Sequence, residues 1–503
     1  MSRERIIPVS ALILLAILLA GTSLVGASPA NWPMYRYDLL HNGVAPDVVQ
    51  PPLVLKWKQT FGGDVDSSPA VVGSRLYVGS DDGNLYAIDA ATGNILWTFN
   101  NQSTTGAWDS SPTVATVGGQ TVIFAGNDNK DLYAVRDDGT APFKLWGYAT
   151  GGKVKSSPVV TTIAGTQVVI FGSEDGTLYA LVASTGAAYT GWGGPGKYTP
   201  GGAAFDASPA ILGQTIFIGD TANKRLYAVN LGNGVKLWNF TTTGSIFSSP
   251  AVANVVVGGV STDLVFFGSD DNKLYALVAA SGTPQWSFAA GGKIDSSPAI
   301  AVIPNPPLAC APGPTVAVIF GSADNNLYAV RATDGTPCWT FPSTGAEPFS
   351  SSPTVSGQTV YVGSDDNNVY AVDINTGSWR WSYPALAHVG DASVAPNPVI
   401  SGTTLYVGSE DHSLYAFERL PPTTVTSTVT SIVTSTVTTT IAQSTITQSV
   451  TTTETSTTTA TQTVTLCPAG PIPGFPGESI IVGLALSFLV MNLIRKRRRN
   501  SHA

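Results

Sequence analysis

The sequence predicts an all-β protein whose main part, residues 31–420, is an eight-bladed β-propeller of four-stranded antiparallel blades. Three repeated features lead to this: the tripeptide Leu-Tyr-Ala (once Val-Tyr-Ala), a Gly before it, and an upstream Ser-Ser-Pro or a close variant. The repeat tyrosines are Tyr86, Tyr133, Tyr179, Tyr227, Tyr275, Tyr328, Tyr370 and Tyr415. Units of about 45 residues that recur in this way are typical of propellers.

Each unit contains four short runs rich in β-forming residues. In the first unit these runs are 65–72, 75–80, 85–89 and 95–99, and the first is interrupted by a proline. Asp-Gly and Asn-containing turns separate them, which is the chemistry of β-hairpins. We therefore predict four antiparallel strands in every unit.

The tryptophans indicate how the ring closes. One Trp follows the Tyr in seven units, and the last unit stops before its outer strand. The missing strand is predicted at VLKWKQT (54–60), so that the N-terminus completes the last blade and leaves no edge unpaired. We expect each of these tryptophans to pack between neighbouring blades. They are Trp57, Trp97, Trp146, Trp192, Trp238, Trp286, Trp339 and Trp381.

A glycine precedes the Trp in five units and is expected to adopt the positive φ of a short turn. These glycines are Gly93, Gly234, Gly282, Gly335 and Gly377. The Leu and Ala of the Leu-Tyr-Ala tripeptide are expected to face the adjoining blade, where a small residue permits close packing.

Both ends of the chain carry targeting patterns. Residues 1–30 combine a short charged start, an apolar run and small residues, as in a secretory signal peptide; an uncleaved anchor is the alternative. Residues 479–495 are apolar and pass directly into a basic tail at 496–503. This is the pattern of a transmembrane helix with its basic side in the cytoplasm. The propeller is therefore predicted to be extracytoplasmic and anchored to the cell membrane by the C-terminus.

The segment 421–478 is predicted to be a stalk followed by a hinge. Residues 421–465 are nearly all Thr, Ser and Val, and a Pro- and Gly-rich stretch follows them. Tracts of this composition are typical of extended, O-glycosylated stalks. The alternation of Thr and Val is also compatible with a β-strand, and that alternative stays open.

Composition narrows the functional classes. The chain has 25 Lys and Arg against 33 Asp and Glu, a net charge of −8, which argues against a nucleic-acid partner. The four His residues have no zinc spacing, and we expect no metal site. Asn101 and Asn239 begin N-glycosylation sequons. Cys310 and Cys338 can form a disulfide in an extracytoplasmic compartment, although the sequence does not fix their geometry.

Two stretches, AIDAATGNILW (87–97) and AVDINTGSWRW (371–381), resemble the repeat of pyrroloquinoline quinone (PQQ) dehydrogenases. The opening NWPMYRYDLLHNG (31–43) is similar to the leader of such propellers. The resemblance covers about residues 32–418 and implies a propeller fold. Many relatives are not enzymes, among them a lipoprotein of bacterial outer-membrane assembly. The end of the chain, 472–499, is similar to archaeal surface-protein sorting tails.

The resemblance also says what an enzyme of this family would need: Ca²⁺ held by oxygen ligands, an Asp base, an aromatic platform and often adjacent cysteines. This chain has no adjacent cysteines, and its blades lack long insertions. We therefore expect no cofactor. A membrane-tethered dehydrogenase of alcohols or sugars, dependent on PQQ and Ca²⁺, is the alternative.

A binding site is expected where the repeats differ, in the residues just before each Ser-Ser-Pro. These residues should ring one mouth of the central channel; solvated loop residues are the alternative. The predicted rim is Asp66, Trp108, Asp109, Lys155, Asp206, Phe247, Asp295, Phe349, His388 and Asp391. The acidic turns such as DDGN are expected to be hairpin turns rather than calcium loops. The sequence therefore predicts a scaffold for envelope or surface-layer proteins, or a receptor for an extracellular ligand.

Overall fold

The computed structural model describes residues 30–100, 106–384 and 396–419 in full, and the backbone of 423–438 and 449–464. The predicted signal peptide apart from Ala30, the transmembrane helix and the basic tail lie outside these residues, as do Asn101, His388 and Asp391. In the described part of the chain, no helix has the length and hydropathy that a membrane crossing requires. The chain divides into two compact units, Met1–Arg419 and Leu420–Ala503.

The first unit contains the eight predicted blades, each a four-stranded antiparallel sheet whose strands are counted outward from the channel. Blade 1 consists of Ala70–Val72, Arg75–Gly79, Asn84–Asp89 and Ile95–Asn100. Blade 2 consists of Thr113–Val117, Gln120–Gly126, Asp131–Asp137 and Pro142–Ala149. Blade 3 consists of Val159–Ile163, Thr166–Ser173, Thr177–Val182 and Lys197–Tyr198. Blade 4 consists of Ala210–Leu212, Thr215–Asp220, Arg225–Asn230 and Lys236–Thr241.

The remaining blades follow the same order. Blade 5 consists of Ala251–Val257, Val260–Ser269, Lys273–Val278 and Pro284–Ala289. Blade 6 consists of Ala299–Ile303, Thr315–Ser322, Asn326–Arg331 and Pro337–Pro342. Blade 7 consists of Thr354–Ser356, Thr359–Ser364, Asn368–Asp373 and Trp379–Pro384, with Val44–Ala45 added parallel to its first strand. Blade 8 consists of Val399–Ser401, Thr404–Ser409, Ser413–Arg419 and Leu53–Thr60.

The predicted closure by the N-terminus is confirmed. Leu53–Thr60 pairs antiparallel with Ser413–Arg419 and supplies the outer strand of blade 8, with Trp57 opposite Ala416. Strands from both ends of the unit thus share one sheet, so that the last blade has its full set of four strands.

Two predicted boundaries differ from the structure. The first strand of blade 1 was expected from residue 65 but begins only at Ala70, because the serines before it bond to neighbouring blades. In blade 3 Trp192 lies on a short 3₁₀ helix, Thr190–Trp192, and the outer strand is reduced to Lys197–Tyr198.

The Ser-Ser-Pro stretches form a closed ring of hydrogen bonds around the channel. The backbone N–H of the second Ser in each blade donates to the side-chain oxygen of the corresponding residue in the next blade, at 2.8–3.2 Å. Asn397 replaces the serine in blade 8. The ring members are Ser68, Ser111, Ser157, Ser208, Ser249, Ser297, Ser352 and Asn397. The repeated serines are therefore structural links between blades.

One substitution tests this ring. Ser249 is buried, and its hydroxyl accepts the N–H of Ser208 at 2.9 Å. Ser249→Ala should lower the free energy of unfolding by about 1–3 kcal/mol, because it leaves a buried N–H without a partner. Chemical denaturation measures the loss, and Ser281→Ala, at an exposed turn serine, is the control. Equal midpoints for the two variants would contradict a structural role for the ring.

The tryptophans join neighbouring blades, as expected. Seven of the eight indole N–H groups donate to a backbone carbonyl of the next blade at 2.8–3.2 Å, and Trp97 donates to the Asp137 carboxylate instead. The glycine of the next blade lies directly beneath the indole: a Cβ on Gly282 would come within 2.6 Å of Trp238. The five predicted glycines do have positive φ, and this close approach is a second reason for glycine there.

Two further features can be placed. A disulfide joins Cys310, in the loop after the first strand of blade 6, to Cys338 on its outer strand. Asn239 is exposed on the outer strand of blade 4, and its glycosylation stays a prediction.

In the second unit, Thr423–Thr438 and Ser449–Val464 pair antiparallel along their full length. The Thr-Val alternation thus forms paired strands, and a role as a stalk stays a prediction.

Candidate functional site: the acidic mouth

Two sets of residues meet at one end of the channel, because the first strand of a blade begins where the antiparallel second strand ends. One set precedes each Ser-Ser-Pro, and the other lies two residues after the glycine near the end of each second strand, as Asp81 follows Gly79. Together they form what we call the mouth. Its charged and aromatic members on blades 1 to 6 are Asp66, Asp81, Asp109, Asp128, Lys155, Glu174, Asp206, Phe247, Asp270 and Asp295.

Three carboxylates of the mouth lie close together between blades 1 and 2. Oxygens of Asp66, Asp81 and Asp109 all lie within 4.8 Å of one another, and Asp66 and Asp109 are buried. Burial, followed by repulsion from Asp109, raises the pKa of Asp81 to about 7. Burial, followed by repulsion from Asp128, raises the pKa of Asp109 as well. This part of the mouth therefore concentrates negative charge.

Carboxylates with raised pKa values also occur at the mouth on blades 3, 4 and 6. Burial and a hydrogen bond with Asp270 raise the pKa of Asp295 to about 8. Burial also raises the pKa of Asp206 and of Glu174, whose second cause is repulsion from Asp206. Crowded carboxylates with raised pKa values lower the stability of the folded protein at neutral pH. Their presence points to a use other than holding the fold together.

Three lysines offset part of this charge. Each lies against one carboxylate of the mouth: Lys153 against Asp128 at 2.5 Å, Lys155 against Asp109 at 3.4 Å, and Lys293 against Asp270 at 3.5 Å. The carboxylates outnumber them, so the mouth stays negative. Such a surface favours a cationic ligand or partner.

The structure corrects two residues of the predicted rim. Trp108 and Phe349 are fully buried, and their Cβ atoms lie over Gly79 and Gly321 of the preceding blade. They fill the space between blades and do not line the mouth. Sequence reasoning assigned them to the rim because it did not separate the residue directly before Ser-Ser-Pro from the one before that, which points the opposite way. Phe247 is half-buried.

The acidic turns contain a structural and a mouth carboxylate side by side. The second acidic residue accepts the hydroxyl of the repeat tyrosine, as Asp82 does from Tyr86 at 2.6 Å and Asp175 from Tyr179 at 2.6 Å. The first acidic residue, such as Asp81, belongs to the mouth instead. Sequence reasoning missed this second ring. Its signal was the acidic residue two positions after the glycine near the end of the second strand, which occurs in six of the eight repeats.

A leader segment, residues 30–49, crosses the channel on the far side of the serine ring. Its backbone carbonyls accept N–H groups from the first strands of blades 2, 4, 5, 6 and 7 at 2.6–2.9 Å, and Trp32 exchanges two hydrogen bonds with Val71 of blade 1. The five donors are Val114, Ile211, Val252, Ile300 and Val355. The leader therefore forms a floor below the mouth.

Two polar residues of the leader are buried within the propeller. Arg36 donates to the carbonyls of Pro353 at 2.6 Å and Pro298 at 2.8 Å, which connects blades 7 and 6. His41 is fully buried, and among the described residues neither ring nitrogen has a hydrogen-bond partner of good geometry. Burial, with a smaller effect of the Arg36 charge, lowers the pKa of His41 to about 3. This histidine is therefore neutral at physiological pH.

The residues of the mouth fit PQQ poorly. PQQ is a planar tricarboxylate, and the mouth presents carboxylates whose lysine neighbours are already paired. The one tryptophan of the predicted rim, Trp108, is buried and offers no platform. Asp66, Asp81 and Asp109 have the oxygen ligands that Ca²⁺ prefers. Carboxylates alone do not distinguish a metal from any other cation.

The sequence matches one protein family. The profile described as outer membrane protein assembly factor BamB matches residues 54–142, 222–304 and 302–421, together more than half of the chain. No curated protein matches the chain in sequence.

Solved structures similar to this propeller include members of two functional classes. BamB from Moraxella catarrhalis is 17% identical, with a TM-score of 0.52 over 73% of this chain and 98% of that one. Quinohemoprotein alcohol dehydrogenase from Comamonas testosteroni is 15% identical, with a TM-score of 0.58 over 78% and 82%. A europium-containing methanol dehydrogenase is 15% identical, with a TM-score of 0.59 over 77% and 98%. These similarities are of fold, and one fold serves both classes.

Proposed function

Since this chain belongs to the family of outer membrane protein assembly factor BamB, we propose that it is a binding propeller of the cell envelope and that its mouth holds a cationic segment of a partner. The propeller is carried outside the cell on the C-terminal segment. The observation that carries this proposal is the excess of crowded carboxylates at the open end of a channel whose other side is crossed by the leader. Such a cup can bind, and its carboxylates lower stability rather than raise it.

The charges of the mouth define the test. The triple variant Asp66→Asn, Asp109→Asn and Asp206→Asn removes three carboxylates of the mouth, from blades 1, 2 and 4, while keeping their size. Hexalysine is the probe, and calorimetry at low ionic strength measures its binding. We expect at least a tenfold loss of affinity, because charge pairs at a focused site contribute several-fold each. We also expect the variant to stay folded, since it relieves repulsion.

A matched control separates the site from net charge. Asp138, Asp334 and Glu418 lie away from the mouth, on the outer parts of blades 2, 6 and 8. Replacing them by their amides changes the net charge by the same three units. If this control loses as much affinity as the mouth variant, the binding is non-specific and the mouth is not the site.

A dehydrogenase remains the competing hypothesis because of the fold it shares with such enzymes. Adding PQQ and Ca²⁺ to the purified propeller separates the two. A quinone absorbance that stays with the protein through gel filtration, together with dye reduction in the presence of alcohols or sugars, would overturn the binding proposal. If PQQ does not bind, cross-linking in intact envelopes through a photoreactive group at Phe247 would identify the partner.

A further inference from the structure

Blade 5 has an unusually long hairpin on the side of the propeller opposite the mouth. Its first strand, Ala251–Val257, has seven residues and its second, Val260–Ser269, has ten, whereas the first strand of the neighbouring blade 4, Ala210–Leu212, has only three. At about 3.3 Å per residue, the blade 5 hairpin extends roughly 13 Å beyond that neighbour. Its tip carries the exposed Val256 and Val260, at 61% and 64% exposure.

The second strand of this hairpin, Val260–Ser269, has an open edge near its start. The third strand of blade 5 leaves it after the pair Leu264 and Val278, and the last hydrogen bond runs from the Ala279 N–H to the Asp263 carbonyl. Residues 260–262 therefore have a strand partner on one side only, the first strand, and on the other side Asp263 is bonded through its carbonyl alone.

The pairing pattern identifies which backbone groups are free. Val257 and Val260 flank a two-residue turn, Gly258-Gly259, so they form a hydrogen-bonded pair, and bonding to the first strand then alternates. The N–H and C=O of Ser261 and the N–H of Asp263 therefore point outward. Within the described residues, no hydrogen bond is assigned to these three groups. Donors and acceptors at this spacing match those of another extended backbone.

A cleft of about 330 Å³ lies along this edge. Ser261, Thr262 and Asp263 form one wall, and blade 4 and the end of the third strand form the rest. The remaining lining residues are Leu212, Thr215, Phe217, Val278, Ala279 and Ala280. The lining is mainly apolar with hydroxyls at its border. It suits an aliphatic side chain that projects from an added strand.

The propeller already accepts one added strand of this kind. Val44–Ala45 of the leader joins blade 7 as a fifth strand, with small aliphatic side chains. We propose that the edge at Ser261–Asp263 is a second binding site, which takes an extended, uncharged partner peptide with aliphatic side chains at alternate positions. Binding by strand addition uses main-chain hydrogen bonds for affinity and the cleft for selection. This site goes beyond the proposed function, because it lies at the other end of the channel.

Backbone amide hydrogen exchange of the full propeller tests the site. The probes are three acetylated heptapeptides in which Thr alternates with Val, Leu or Ile. We expect the amides of 261 and 263 to exchange fast in the free protein and at least ten times more slowly with a saturating peptide. If none of the three peptides slows their exchange, the proposal is wrong.

Two variants make the test specific to the backbone. Ser261→Pro removes the outward N–H, and Ser261→Ala retains it; both lose the same hydroxyl bond to Asn254. The substituted N–H does not bond to the first strand, so the hairpin keeps its ladder. We expect the proline variant alone to lose at least tenfold in peptide affinity. Equal affinity of the two variants would overturn the proposal. The mouth triple variant should bind the peptide unchanged, so failure of one site leaves the other standing.

Discussion

Trp381→Ala should lower the free energy of unfolding by about 3–5 kcal/mol. Trp381 lies where blade 7 meets blade 8, the blade built from both ends of the chain. Its buried indole donates to the Leu53 carbonyl at 3.1 Å and packs edge-on against Phe417 at 5.5 Å. Truncation opens a cavity at this seam and leaves a buried carbonyl unpaired. Urea denaturation followed by far-ultraviolet circular dichroism measures the effect.

The same strand provides the control. Trp379 lies two residues earlier but is 47% exposed. Trp379→Ala should change the unfolding free energy by less than about 1 kcal/mol, since exposed substitutions rarely do more. If both variants unfold at the same urea concentration, the docking of Trp381 between blades contributes little and the seam is held by strand pairing alone.

The second large effect is a dependence of stability on pH that originates at His41. Its pKa is about 3 in the folded protein and near 6.5 in the unfolded chain. Below pH 6.5 the unfolded chain binds a proton that the folded protein does not, so the free energy of unfolding decreases as the pH is lowered. The expected loss at pH 4.5 is about 2–3 kcal/mol. The ionisable groups around His41 are Tyr35, Arg36 and Asp38, and the Arg36 charge opposes protonation.

His41→Asn isolates this contribution. His41 has φ 58°, and Asn tolerates that left-handed conformation but cannot be protonated. Asp81 and Asp295 act in the opposite direction: their raised pKa values make stability increase as pH falls from about 8 to 4. We therefore compare wild type and variant at pH 7 and pH 4.5. Between pH 7 and pH 4.5 the wild-type protein should lose about 2–3 kcal/mol more unfolding free energy than the variant. Parallel pH profiles of the two unfolding free energies would contradict this prediction.

The fold was predicted best from the sequence where a feature was repeated. The spacing of Leu-Tyr-Ala predicted the blades, and the count of tryptophans predicted the strand around Trp57 as the outer strand of the last blade. Both follow from local rules, because turn residues and a two-residue period act within a single hairpin. The same repetition hid the ring of Ser68 and its counterparts, since a hydrogen bond between blades has no signature inside one repeat.

The candidate site was only partly predictable. Asp66, Asp109, Asp206 and Asp295 belong to the mouth as expected, whereas Trp108 is buried. Asp81 joins them from a turn that looked purely structural. Its neighbour Asp82 is structural, so one turn serves both purposes. Which of two adjacent carboxylates faces the channel depends on the orientation of the blade, and the blade is oriented by contacts with its neighbours.

The sequence by itself determined the number of blades, the four strands of each and the closure by the N-terminal strand, because these depend on short-range patterns and their repetition. The tertiary structure alone decided how far the mouth carboxylates lie from one another, where the leader crosses the channel, and that the edge at Ser261 is left open. Each of these depends on segments distant in sequence, whose separation in space is fixed only when the ring has closed.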